Sequence, residues 1–294
     1  MRSSLIAVAC VSIATTASTV SSPVAAQAPA PARATAYTPP KTPDGYPDLQ
    51  GVWRVWNLAK YDLEDHGARP GVPAGRGVIV DPPDGRIPYQ EWALKRRAEN
   101  AAKTRTADTR ERNYQSTPVD PYPNADPVAK CYLPGIPRLT YLGWPFQIVQ
   151  DKDDVNMTYE WMHKKRIVPV KNVGPRPDPE GGFNARWNGI PRGRYEGNAL
   201  VVDITNFHPF TWFDMAGNFH SDALHVVERY TPTGPDTLQY EATMEDPKVF
   251  TRPWTIRMLI QRQKDIGLLD YECTNMLDEL GIGHTWPRDF DIEP

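Results

Sequence analysis

From residue 145 onward, segments of the chain alternate apolar and polar residues with a period of two, and this feature constrains the fold most. Successive side chains of a β-strand point to opposite faces, so the alternation predicts strands with one buried face. Short runs rich in Gly, Pro, Asn and Asp separate these segments. Short connections join antiparallel neighbours, since parallel strands need a crossover of about a dozen or more residues. The pattern therefore predicts a mainly β chain with an antiparallel sheet.

The segments predict about nine strands and one helix. Within 193–205, the dipeptide Gly197-Asn198 separates two strands, because these residues adopt the positive φ values that a tight hairpin turn needs. The segment 88–105 has Pro near its start and then helix-forming residues, with a broad charged face that places it on the surface. The predicted strands lie within segments 49–57, 146–150, 155–161, 166–170, 193–205, 223–230, 237–244, 254–263 and 268–274.

Many strands without helical crossovers have to curl or pair face to face, because exposed sheet edges promote aggregation. We therefore expect an antiparallel up-and-down barrel, lipocalin-like, with one peripheral helix; a β-sandwich is the alternative. Gly51-Val52-Trp53 in the first strand resembles the Gly-x-Trp that closes the base of lipocalin barrels.

The alternation sorts side chains into two faces without saying which face points inward. Val226, Glu228 and Tyr230 share one face of their strand, for example, while His225 and Val227 share the other. One interpretation is a core face and a solvent face. The other is a polar lumen lined for a ligand.

The N-terminus has the charged, apolar and small-residue order of a signal peptide. We expect cleavage near Ala26, a Pro/Ala-rich linker over 27–43, and a single β-rich domain over 44–294. Cys10 as a lipoprotein cysteine is disfavoured, because the apolar segment before it is short and continues past it. No other stretch approaches the ~20 apolar residues of a membrane helix, so we predict a periplasmic or secreted protein without a membrane span.

Export makes a disulfide between Cys131 and Cys273 the favoured interpretation, since they are the two cysteines left after cleavage. The alternative is a pair of unrelated buried thiols. The bridge would close a loop of about 140 residues, which corresponds to roughly 4–5 kcal/mol in the chain-entropy account.

Charge and spacing exclude several other classes. The formal net charge is −3, and basic and acidic residues are interspersed, unlike the one-sided basic surface of a nucleic-acid-binding protein. The cysteines lack the close spacing of a zinc site. We predict no cofactor, no metal and no nucleic-acid partner.

Five motifs in a fixed order carry a resemblance. "CYLPGIPR", "PFQIVQ", "GRYEGNALVVDIT", "SDALHVVERY" and "EDPKVFTRPWT" resemble a large family of exported, uncharacterised bacterial proteins over roughly residues 44–275. That family usually has Trp-Glu-Gly-Asp-Thr where this chain has Tyr-Glu-Gly-Asn-Ala at 195–199. It also usually has Gly-Arg-Pro-His near residue 174, and this chain lacks that histidine. The resemblance implies one exported β-domain and no particular reaction.

The segment 207–230 concentrates histidines, carboxylates and aromatic residues. His220 and Asp222 are two residues apart, so in strand-like geometry both point to one side. The carboxylate would then fix the imidazole tautomer, and the pair would act as a general base. The alternative is that His220 caps the loop and Asp222 bonds the backbone. A metal site with His225 is disfavoured, because His225 would face the opposite side of the strand from Asp222.

Other side chains are candidates for ligand binding. Arg138 follows a proline-bounded loop, and Arg252 and Trp254 end the segment "EDPKVFTRPW". Arginine suits an anionic group, and aromatic rings such as that of Trp212 suit sugar or aryl groups. His225 completes the set of predicted ligand-binding residues. Pairing of the arginines with nearby carboxylates is the alternative.

Two functional classes follow. The first is a periplasmic protein with a small-molecule pocket, acting as a lyase, isomerase or hydrolase on an aromatic or sugar-like substrate with a His-Asp base. The second is a non-catalytic, lipocalin-like carrier of an apolar small molecule. Whether the protein is an enzyme stays open, because one barrel hosts many functions.

Overall fold

Ten strands form one antiparallel sheet in the computed structural model of the chain, which describes residues 37–69, 71–106, 126–174 and 185–273. The predicted mainly antiparallel β fold is confirmed. The strands are β1 (Gly51–Val55), β2 (Ile79–Asp81), β3 (Phe146–Gln150), β4 (Asp154–Tyr159), β5 (Lys165–Pro169), β6 (Ile190–Glu196), β7 (Ala199–Thr205), β8 (His225–Gly234), β9 (Thr237–Glu245) and β10 (Trp254–Gln263).

The strand order is β5-β4-β3-β1-β10-β9-β8-β7-β6, with β2 paired to β10. Strands adjacent in sequence are adjacent in the sheet from β3 to β5 and from β6 to β10, and β1 joins the two groups by pairing with both β3 and β10. The edge strands β5 and β6 contact each other, although no ladder of backbone hydrogen bonds joins them in the described residues. We call this junction the seam.

A glycine permits the close approach at the seam. A Cβ added at Gly193 of β6 would lie 2.7 Å from Cγ1 of Val170 and 2.8 Å from Cγ1 of Val168. The two edges therefore shield each other by side-chain packing rather than by hydrogen bonds.

One face of the sheet is the core, as the alternation predicted for a buried and a solvent-exposed face. Along β8, Val226, Glu228 and Tyr230 are fully buried, whereas His225 and Val227 are only partly buried. The same pattern gives the rest of the core on β4, β9 and β10, namely Val155, Met157, Tyr159, Leu238, Tyr240, Ala242, Met244, Trp254, Ile256, Met258 and Ile260.

The predicted helix is confirmed as α1 (Glu91–Thr106), and most of its described side chains are exposed. A second helix, α2 (Arg138–Tyr141), is a single buried turn that the sequence did not predict. No helix in the described part of the chain has both the length and the apolar character that crossing a membrane requires.

The strand predicted over 268–274 is absent from the described part of that segment, up to residue 273. Leu269 is 70% exposed, so this segment lacks the alternating burial of a strand. Tyr271 instead packs its ring on Trp144, at 4.3 Å between centroids, and on Trp161, at 5.1 Å. The segment is also held by the predicted disulfide, which is confirmed: Cys273 is bonded to Cys131.

The Gly-x-Trp segment has a structural role at the end of β1. The guanidinium of Arg262 lies 4.2 Å from the centre of the buried Trp53 ring. Gly51, with a φ of +133°, leaves room for Arg262, since an added Cβ would lie 2.1 Å from its Nη1. A larger residue at position 51 would displace the arginine from the ring.

An ion pair is buried inside the sheet. Arg166 of β5 contacts Glu228 of β8 through Nη2 and Oε2, and their side chains are 3% and 0% exposed. The hydroxyls of Tyr230 and Tyr240 donate to Glu228 Oε1 at 3.0 and 2.7 Å. Burial raises the pKa of both tyrosines well above the ordinary value, so their hydroxyls stay protonated and act as donors. The pair connects the edge strand β5 to β8, the third strand from the other edge.

We predict that Arg166→Met lowers the free energy of unfolding by about 3–5 kcal/mol, because it leaves the Glu228 carboxylate buried without its partner. The double variant Arg166→Met, Glu228→Gln should recover most of this loss, since the amide oxygen still accepts from the two tyrosines and carries no charge. Urea unfolding of the two variants measures the difference. Equal losses in both would show that the buried charge is not the cause.

Candidate functional site

His220 is enclosed and hydrogen-bonded at both ring nitrogens. Its Nδ1 lies 2.7 Å from the carbonyl oxygen of Ser221, and its Nε2 lies 2.5 Å from the hydroxyl of Thr211. A carbonyl only accepts, so Nδ1 carries the proton and donates. Nε2 of the neutral ring then accepts from the Thr211 hydroxyl. The proton of Thr211 is therefore the one that His220 is placed to receive.

The surroundings of His220 keep it neutral. The residue is 3% exposed and lies between the rings of Phe207 and Phe213, with centroid distances of 5.9 and 5.3 Å. Burial lowers the pKa of His220 to about 4. At neutral pH the ring is thus an uncharged acceptor for Thr211.

The structure does not place Asp222 in hydrogen-bond contact with His220, contrary to the expected orienting role. The carboxylate of Asp222 accepts from Nζ of Lys248 at 2.7 Å, and this hydrogen bond lowers the pKa of Asp222. The two-residue spacing puts side chains on one side only in a strand, and β8 begins later, at His225. Asp246 contacts this loop instead, accepting from the backbone N–H and the hydroxyl of Ser221 at 2.6 and 2.9 Å.

Arg138 forms a buried ion pair with Asp126. It is 1% exposed and donates from Nη1 and Nη2 to the two carboxylate oxygens of Asp126, at 2.7 and 2.6 Å. The loop before it lies against the His220 region, since a Cβ added at Gly135 would lie 2.7 Å from the Thr211 hydroxyl oxygen. The structure thus brings the loop before Arg138 close to His220, but the Arg138 guanidinium is paired with Asp126.

The remaining predicted ligand-binding residues are dispersed. Arg252 pairs with Asp81 of β2 at the surface. Trp254 is fully buried, with its ring perpendicular to that of Phe213 at 5.5 Å. Trp212 is 9% exposed.

His225 lies on the outer face of the sheet. Its Nε2 is 3.0 Å from Asp203 and its Nδ1 is 3.4 Å from Glu245. Across the described residues, no group of three or more His, Cys, Asp or Glu side chains is arranged to hold a metal ion.

A set of stacked rings lies next to Thr211, and we call Tyr132, Trp187, His208 and Phe210 the aromatic surface. Tyr132 and Trp187 are parallel at 5.2 Å between centroids, and Trp187 and His208 are parallel at 4.6 Å. Phe210 stands at 69° to His208, at 4.7 Å. The first three rings are half-buried and Phe210 is 54% exposed.

Backbone hydrogen bonds and the disulfide position these rings. The N–H of Arg186 donates to the carbonyl of Asn206 at 2.8 Å, and the N–H of His208 donates to the carbonyl of Arg186 at 2.9 Å. These bonds fix Trp187 beside His208. Cys131, which the disulfide anchors, has a φ of +61° and directs the chain into Tyr132.

The aromatic surface carries no fixed charge. Burial lowers the pKa of His208, so its imidazole is neutral at neutral pH. Sequence analysis did not identify Tyr132 or Trp187 as site residues, because local spacing contains no information about stacking between distant segments.

Comparison of the chain with protein-family models and with curated proteins gave no match.

We predict that His220 makes stability depend on pH. Its folded pKa of about 4 is below the ordinary value, so the unfolded chain binds a proton first as the pH falls. The contribution is present above about pH 6.5 and is lost towards pH 4, by up to about 3 kcal/mol. Burial raises the pKa of Asp214 to about 7, which gives the opposite slope. The difference between wild type and His220→Gln therefore isolates the histidine.

Urea unfolding from pH 4 to pH 8 measures this difference, with the outer-face variant His225→Gln as the control. The free-energy advantage of wild type over His220→Gln should shrink as the pH falls. A difference that is constant over this range would contradict a neutral, buried His220.

Proposed function

We propose that the protein binds a small ring-shaped molecule, aromatic or sugar-like, on the aromatic surface. The observation that carries the proposal is the parallel stack of half-buried Tyr132, Trp187 and His208, which come from three separate segments. Aromatic rings prefer stacked or edge-to-face contacts with other rings, and they bury much apolar area. A stack that is partly open to solvent is suited to receive one further ring.

The angle between His208 and Phe210 supports a ring-shaped ligand. The two rings meet at 69°, so one can stack on the face of a ligand ring while the other contacts its edge. Neither ring is charged at neutral pH, which favours an uncharged ligand surface where they meet.

Buried polar contacts next to the aromatic surface hold its loops in place before a ligand binds. The buried Arg138–Asp126 pair fixes the loop that contains Tyr132, and the Thr211–His220 hydrogen bond fixes the segment after Phe210. Side chains that are already ordered lose less conformational entropy when a ligand binds. The disulfide is compatible with an extracytoplasmic protein, and we propose that binding takes place in the periplasm or outside the cell.

We predict that Trp187→Ala weakens binding of the ligand at least about tenfold, or about 1.4 kcal/mol, because the central ring of the stack is lost. Titration against a panel of aryl and glycosyl compounds, followed by calorimetry, identifies a ligand and measures its affinity. The control is Trp56→Ala, which removes a tryptophan that is 59% exposed and lies under the guanidinium of Arg54. Unchanged affinity in Trp187→Ala would reject the aromatic surface as the site.

Hydrolysis is the second candidate function, and the 2.5 Å contact between Thr211 and His220 favours it. A hydroxyl hydrogen-bonded to an imidazole, which a third group orients, is the arrangement of an activated nucleophile. Thr211 Oγ1 would attack an ester carbonyl as its proton passes to Nε2. The imidazolium would return the proton to the leaving alcohol, and water would then cleave the acyl-threonine. Both residues are enclosed, so this function also requires movement of the loop, and we rank it second.

We expect Thr211→Val to abolish any turnover of chromogenic aryl esters, with a loss of at least about a hundredfold, because the nucleophilic oxygen is removed. Thr42→Val is the control, since it removes another buried threonine hydroxyl, one that accepts from the backbone N–H of Tyr46 away from the aromatic surface. If wild type cleaves the esters no faster than buffer does, hydrolysis is rejected and ligand binding remains the proposed function.

A further inference from the structure

Asn188 directly follows Trp187 of the aromatic surface and is 7% exposed. Neither its side-chain Nδ2 nor its Oδ1 has a hydrogen-bond partner among the described residues. A buried amide normally has such partners, because leaving a donor and an acceptor unpaired costs stability. Packing among the described residues therefore supplies no partner for this amide.

A second unpaired group lies on the neighbouring strand. The hydroxyl of Thr205 has no partner in the described part of the chain, and the residue is 3% exposed. The two positions are close in the fold. Ile190 is paired with Thr205 in the β6–β7 ladder, and a Cβ added at Gly189 would lie 2.8 Å from the Thr205 carbonyl oxygen. Unpaired polar atoms thus gather beside the turn that presents Trp187.

We propose that Asn188 is the polar anchor of the aromatic surface and that the ligand is a hydroxylated ring of the sugar class. This inference rests on the proposed function. A side-chain amide offers two donors and an acceptor, and a hydroxyl is both donor and acceptor. Adjacent hydroxyls of a sugar satisfy both ends of the amide, while the C–H face of the sugar stacks on the rings. A ligand without hydroxyls leaves the amide unpaired.

The proposed contact requires the Asn188 amide to rotate towards the aromatic surface. The amide makes no hydrogen bond to the described protein, so rotation about its side-chain bonds breaks none. Asn188 directly follows Trp187 in the same turn, which places the amide within one residue of the aromatic surface. Binding then gives hydrogen-bond partners to Nδ2 and Oδ1 of Asn188, and these hydrogen bonds favour sugars over aryl compounds.

The test uses Asn188→Leu and Asn188→Ala in the full chain, with two probes: methyl glycosides, and aryl compounds that lack hydroxyls. We expect both variants to bind glycosides at least about tenfold more weakly and the aryl compounds within about threefold of wild type. Without ligand, Asn188→Leu should unfold at a urea concentration no lower than wild type, because it removes an unpaired polar group.

The outcomes separate this inference from the proposed function. If Trp187→Ala weakens binding and the Asn188 variants do not, an ordered water satisfies the amide and the inference is overturned. Equal losses for glycosides and aryl compounds, or a less stable Asn188→Leu, make Asn188 a structural residue and also overturn it. Wild type that binds aryl compounds and no glycoside overturns the sugar class alone. Unchanged binding in Trp187→Ala rejects the aromatic surface itself.

Discussion

A buried ion pair links β5, an edge strand of the sheet, to β8, near the opposite edge. In the described residues no backbone ladder joins the two edges. β5 and β6 meet at the seam without a ladder, and Arg166 connects β5 to Glu228 on β8, beyond β6 and β7. Charges in a protein interior are tolerated when they are paired and hydrogen-bonded, and two tyrosine hydroxyls complete the shell of Glu228. The pair therefore holds β5 against β8 on the core side of the sheet.

The sequence predicted most of the sheet and little of the candidate site. Alternation identifies strands because burial on one face leaves a local pattern, and it placed Glu228 on the same face as Val226 and Tyr230. It did not identify Arg166 as the partner of Glu228, since 62 residues separate them. The segment 268–274 has apolar residues, but Tyr271 is used for ring packing, so strand propensity misled the prediction. His220 and Asp222 show the same limit, because their spacing has a fixed meaning only within a regular strand.

The candidate site combines a neutral histidine with neutral rings. Burial lowers the pKa of both His208 and His220, so the loop following β7 contains two imidazoles that are uncharged at neutral pH. One serves as a stacking ring and the other as an acceptor for Thr211. The two roles depend on the same physical cause, which is exclusion of water by the aromatic side chains around them. The charged Arg138 is buried and paired with Asp126, so it contributes to the stability of the region rather than to contact with a ligand.

The pairing of β1 with β10 has a consequence for how the chain folds. Val52 is aligned with Gln263, so one of the two neighbours of the first strand is β10, the last strand in the sequence. Contacts of such long sequence separation form late, because the loop between them must be closed before they contribute. Before β10 pairs with β1, one edge of β1 lacks a neighbouring strand. Chains truncated before β10 would therefore expose this edge to intermolecular association.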